Sequence, residues 1–108
     1  MQTNFDNPLE VSSDGRTIFA TGPITWEPGD DHCRISVVLT QGSLRATGDT
    51  GNYSTQDTTW ECDVQLPTGQ QWDLAKTVHC VGTATPPTSS TWPPQDVSLQ
   101  RQPAAAPA

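Results

Sequence analysis

The side chains with the most chemical capacity are three cysteines and two histidines: Cys33, Cys62, Cys80, His32 and His79. His32-Cys33 and His79-Cys80 pair the ligand types that zinc prefers. Adjacent strand residues point to opposite faces, however, so neither pair closes readily on one ion, and no C-x-x-C knuckle is present. No metal site is expected. A cysteine nucleophile would need a base beside a partly exposed thiolate, for example His79 near Cys33 or His32 near Cys80. Cysteines that face a core are usually inert, so no catalytic residue is assigned. The chain has no G-x-S-x-G, no phosphate-cradling glycine loop and no dinucleotide fingerprint, and no cofactor is expected. Glu27, Asp30 and Asp31 in one turn, or Asp49 and Asn52 in another, supply hard oxygens for calcium, but neither spacing is that of an EF-hand loop.

The elements that must position these groups are strands. In Thr58-Thr59-Trp60-Glu61-Cys62-Asp63-Val64-Gln65-Leu66, the residues Trp60, Cys62, Val64 and Leu66 fall on one side of a period-2 pattern, with polar residues on the other. Such alternation predicts a strand with one buried and one wet face. His32 to Thr40 repeats it, with Cys33, Ile35, Val37 and Leu39 on one face. Asp14-Gly15 between two extended runs predicts a hairpin with a type I′ turn. Gly48 to Asp57 reads as a long polar loop, and Thr77 to Thr83 as another strand, with Val78 and Cys80 on one side. No helical periodicity extends beyond two turns. The resulting expectation is an all-β protein: a single antiparallel β-sandwich over residues 1–84, with a small barrel as runner-up. From residue 85 to 108 the composition turns to Pro, Ser, Thr and Ala, which predicts a disordered tail or linker. Val97 and Leu99 alternate around Ser98, so a short piece of that tail could dock as an edge strand.

All three cysteines lie on inferred inner faces, and a small domain with a thin core favours a disulfide. If residues 68–75 connect a hairpin, Leu66 meets Lys76, Val64 meets Val78 and Cys62 meets Cys80. Trp60 then faces Gly82, whose missing side chain leaves room for the indole. This favours a Cys62–Cys80 bridge, worth roughly 2–4 kcal/mol. A bridge from Cys33 and three reduced thiols are the rivals.

The stretch Asp57-Thr58-Thr59-Trp60-Glu61-Cys62 resembles the approach to the second cysteine of an immunoglobulin-type domain, with Trp60 where that family usually has tyrosine. Cys33 would stand as the first cysteine, too close in sequence for the usual set of intervening strands. The resemblance implies a broadly immunoglobulin-like sandwich and no particular function.

Net charge is −7, with only five Lys and Arg in 108 residues. That balance opposes nucleic acid and anionic lipid as partners. No apolar run reaches the length of a membrane helix. Four tryptophans are the least expected feature of so lean a chain. Trp60 belongs to the core by its face. Trp26 and Trp72 stand beside turns, where they would cap the open ends of the sandwich or, with Asp49, Asn52 and Tyr53, meet a ligand. Trp92 would pin the tail. Asn52-Tyr53-Ser54 also fits the N-glycosylation pattern. The functional expectation is a non-catalytic binding or structural module, monomeric and extracytoplasmic, that recognises protein or carbohydrate. The competing classes are a small enzyme or metal protein centred on Cys33, Cys62 and Cys80, and a surface or viral assembly subunit.

Overall fold

The computed structural model describes residues 2–85, 90–91 and 93–101, with backbone alone at 2, 90 and 91. They form β1 (Gln2–Thr3), β2 (Leu9–Val11), β3 (Thr17–Thr25), β4 (His32–Gln41), β5 (Leu44–Ser54), β6 (Thr59–Gln65), β7 (Val78–Thr85), β8 (Ser90–Thr91), β9 (Gln95–Val97) and β10 (Leu99–Arg101). Among the described residues there is no helix. In the first sheet β3 is central: β6 lies antiparallel along one side, β2 and β1 share the other, and β10 extends the sheet parallel to β2. The second sheet runs β5-β4-β7, with β8 and β9 antiparallel to β7. The sheets pack face to face as a β-sandwich around one core.

The alternation around Trp60 does what the pattern requires. Trp60, Cys62, Val64 and Leu66 are all buried, while Thr59, Glu61, Asp63 and Gln65 are exposed. The indole N–H donates to Thr3 Oγ1 at 2.8 Å, and Phe5 meets the ring edge-on at a 5.3 Å centroid distance. The glycine that admits the indole is Gly22 of β3, directly opposite Trp60, and not Gly82. Phe5 is buried and β1 pairs with Thr25 and Ile24, so Gln2 and Thr3 join the sheet and Phe5 joins the core.

The expected β6–β7 hairpin does not form, and the Cys62–Cys80 bridge falls with it. Cys62 pairs with Ala20 in the first sheet, whereas Cys80 lies in the second between Leu39 and Gln95. Cys33, Cys62 and Cys80 are all free thiols and all buried. The connection after β6 crosses between the sheets because its polar groups find partners at one end of the sandwich. Leu66 N–H donates to Arg16 O at 2.9 Å, and Trp72 N–H donates to Gly15 O at 2.8 Å. Gln41, at the end of β4, closes the clamp. Its side-chain amide donates to Asp73 O at 2.8 Å, and its carbonyl accepts from Asp73 N–H at 2.7 Å.

Gly48–Asp57 is not a loop. Gly48 to Ser54 is the second half of β5, and only residues 55–58 join it to β6. Glycine, aspartate and asparagine are poor strand formers, but tertiary pairing overrides them. A register shift lies between Arg34 and Ser36, and the N–H of Ile35 there finds Thr50 Oγ1 at 3.0 Å. Gly48 lets β5 press against β6: a Cβ there would lie 3.0 Å from Val64 Cγ2 and 3.1 Å from Asp63 O. The Asp14-Gly15 hairpin forms with a different turn. Gly15 has φ +75° and no described residue other than glycine has a positive φ, so type I′, which needs two such residues, is not used. Asp14 accepts hydrogen bonds from Ser12 Oγ and Arg16 N–H, which hold its carboxyl below its usual pKa.

The folded part also continues past residue 84. Gln95, Asp96 and Val97 pair with Cys80, His79 and Val78, and Leu99 lies beside Leu9. Val97 is 0% exposed and Leu99 8%, so these two side chains dock a segment whose composition suggested disorder. The expectation that Trp92 pins the tail lies outside the described residues, as does the tail beyond Arg101.

Candidate functional site

The three cysteines are the obvious place to look for chemistry, and the fold separates them. Cys62 belongs to the first sheet and Cys33 and Cys80 to the second. Burial pushes the Cys62 thiol up to about 12, with Asp63 and Asp49 adding negative potential. Burial pushes Cys80 up to about 12 as well, reinforced by Asp96. Cys33 is raised by burial first, then by Asp30 and Asp57. His32 and His79 face outward, half-exposed, and bond Asp31 and Asp96 respectively. Among the described residues, no three His, Cys, Asp or Glu side chains converge to hold a metal ion.

The residues expected to meet a ligand are spread over the molecule. Trp26 follows β3, and its indole N–H donates to Asp57 O at 2.7 Å. Trp72 is buried at the other end, with its N–H on Arg16 O at 3.0 Å. Each therefore closes one end of the sandwich and uses its polar handle internally. The Tyr53 hydroxyl accepts the N–H of Glu61 at 3.1 Å and faces its carbonyl at 3.4 Å. It thus covers a length of β6 that has no strand partner on that side. Asp49 accepts from Ser36 Oγ across the β4–β5 pair. Asn52 is exposed on β5 opposite Arg34. The fold does not bring these five into one site.

What the fold does assemble is a groove on the outer face of the first sheet. It has a volume of about 300 Å³ and is lined by Asp6, Pro8, Glu10, Phe19, Thr21 and Gln100. Strand register builds it. Gln100, Glu10, Phe19 and Asp63 stand side by side across β10, β2, β3 and β6, and Thr21 stands opposite Glu61 in the next outward row. Asp6 is fixed to the floor, its N–H donating to Thr21 O at 2.9 Å and its carboxylate accepting from Thr21 Oγ1 at 2.8 Å. The partly buried Phe19, on the outer face, is therefore flanked by carboxylates on both neighbouring strands. The sequence carried one overlooked signal for it. In Ile18-Phe19-Ala20-Thr21, the inward positions are Ile18 and Ala20, which leaves an aromatic ring on the wet face.

The chain matches no protein-family model, no curated protein and no solved structure.

Proposed function

We propose that this chain is a non-catalytic binding module that recognises protein or carbohydrate through the groove around Phe19. The observation that carries the reading is an aromatic ring, partly buried on the outer face of the first sheet, in a groove it shares with Asp6, Glu10 and Gln100. Such a combination offers one apolar surface and several hydrogen-bond acceptors, the minimum for holding a sugar face or an extended peptide in one orientation. The rival reading, a cysteine or zinc centre, requires thiolates, and burial opposes thiolate formation at Cys33, Cys62 and Cys80. The extracytoplasmic setting loses the support of a bridge, since the three thiols are free.

An immunoglobulin-type fold belongs to the same proposal. Its support is the distribution of strands, with β9, β7, β4 and β5 in one sheet and β2, β3 and β6 in the other. The variable type of that family likewise enlarges one sheet at the edge beyond its third strand.

The test is a labelled preparation of the full chain screened on arrays of oligosaccharides and of extended peptides, with Phe19→Ala beside it. The reading expects hits that weaken at least about tenfold in Phe19→Ala, a loss of about 1.4 kcal/mol, while the melting temperature holds. Hits that bind both proteins equally would remove the groove from the account.

A further inference from the structure

We propose that the groove around Phe19 takes a lysine or arginine side chain of an extended basic peptide, which rests on the groove being the binding site and names the chemistry of its ligand. The basic residues of the chain lie away from it. Glu10, Glu61 and Asp63 stand on the outer face of the first sheet, and Asp6 lines the groove there. Arg101 is the one basic residue in the strands of that sheet, and its guanidinium donates to Ser13 O at 2.9 Å. Arg34 and Arg45 belong to β4 and β5 of the second sheet. The Arg16 guanidinium donates to Leu66 O at 3.0 Å, and Lys76 lies in the connection before β7. Among the described residues, no Lys, Arg or His side chain bonds Asp6, Glu10, Glu61 or Asp63. The groove therefore presents carboxylates whose countercharge the described fold does not supply.

The hydrogen-bonding capacity of the lining points the same way. Ionised Asp6 and Glu10 only accept, and the Thr21 hydroxyl already gives its proton to Asp6 at 2.8 Å. That leaves the Gln100 amide as the neutral donor among the lining side chains. Ammonium and guanidinium groups carry donors alone, so they complement such a lining better than sugar hydroxyls, which bring both functions. Phe19 supplies the apolar half. The methylene stem of a lysine or arginine packs on an aromatic side chain while its charged head reaches outward to carboxylates, and a cation beside the ring gains further attraction. The volume of about 300 Å³ stands at the lower end of ligand sites, which suits one long side chain rather than several sugar rings. The peptide, as against a free amine, follows from β10. It is the end strand of this sheet among the described residues, and its Gln100 lines the groove. An extended segment added along that edge would bond through its backbone and set alternate side chains on the face that carries Glu10 and Phe19.

The experiment uses the labelled full chain on short peptides whose central residue is lysine, arginine, glutamine or glutamate between randomised threonine and valine flanks, with neutral oligosaccharides beside them. Hits should carry lysine or arginine at the centre. Replacing that residue by norleucine, which keeps the stem and removes the charge, should weaken binding at least about fivefold. Glu10→Gln should weaken it by about the same factor, and Glu10→Lys should turn the preference to glutamate-centred peptides. Raising salt from about 0.1 M to about 1 M shortens the screening length from about 10 Å to about 3 Å and should weaken binding severalfold. Asp31→Asn, in the turn between β3 and β4, should change nothing. Melting temperatures check that each variant is folded. Neutral peptides or sugars that bind in a Phe19-dependent way, indifferent to Glu10→Gln and to salt, overturn this proposal and leave the groove as the binding site. Cationic peptides that bind Phe19→Ala as well as the wild type overturn both, as does a chain that binds nothing on either array. Lysine amide that competes as strongly as the whole peptide overturns the peptide as occupant.

Discussion

Gly22→Ala tests the packing on which the first sheet depends. A Cβ built on Gly22 would lie 1.9 Å from Asn4 O, 2.6 Å from Trp60 Nε1 and 2.9 Å from Trp60 Cε2. No rotamer change relieves the first contact, because the atom struck is backbone. Either β1 leaves β3, or the indole swings away from Thr3 and Phe5. Overpacking of this kind costs about 1–3 kcal/mol. Losing the Trp60–Thr3 hydrogen bond adds about 0.5–1.5 kcal/mol, and losing the edge-on ring contact about the same. Against this, alanine restricts the unfolded chain and returns about 0.4–1 kcal/mol. The net is a loss of about 3 kcal/mol, which in a domain of this size lowers the melting temperature by at least about 12 °C. Thermal unfolding followed by tryptophan fluorescence reads it directly. Gly51→Ala is the control: Gly51 is exposed and nothing lies within 4 Å of its would-be Cβ, so its melting temperature should barely move. A Gly22→Ala protein that melts within about 4 °C of the wild type, a shift worth no more than about 1 kcal/mol, would refute the reasoning.

Gln41→Ala should cost about 2–3 kcal/mol, because it strands the N–H of Asp73 and releases the carbonyls of Asp73, Lys76 and Thr77; hydrogen exchange should accelerate across 73–77. Tyr53→Phe should cost about 1 kcal/mol and expose the Glu61 amide to exchange, with the rest of β6 unaffected. A thiol reagent should find no reactive cysteine in the native protein at pH 7 and three in urea. The same thiols give alkaline instability. Burial raises all three above the ordinary thiol value, to about 12 for Cys62 and Cys80, so the folded state holds its protons longer than the unfolded one. Their contribution to stability is complete below pH 9 and is lost as pH rises from there toward about 12. Urea midpoints that stay flat across that window would contradict the burial of the thiols.

Period-2 alternation made β4 and β6 legible, because each has one face in the core and one in water. Pairing was less legible. Alternation records which way Cys62 and Cys80 face but not which strand lies beside them, and a self-consistent hairpin register existed that the fold does not use. What decides against it is the set of long-range bonds from Gln41, Gly15 and Arg16 to the 66–77 connection, contacts between residues far apart in sequence. The second half of β5 was hidden for the opposite reason. Its Gly48, Asp49, Gly51 and Asn52 carry loop composition, and only β4 alongside makes them a strand. Phe19 was missed because an aromatic residue beside inward-facing Ile18 and Ala20 looks like one more core residue until its strand parity is fixed.

The change of sheet at Ser98 also has a temporal meaning. Phe5, Asn7 and Leu9 take their partners from Gln95 and Ser98, residues about ninety positions later. At translation speeds of roughly 5–20 residues per second, the opening segment emerges about 5–20 s before the groups that fasten it. Through that interval the β2 edge of the nascent sandwich stands open, and every unfinished chain on a polysome displays the same vacancy to its neighbours.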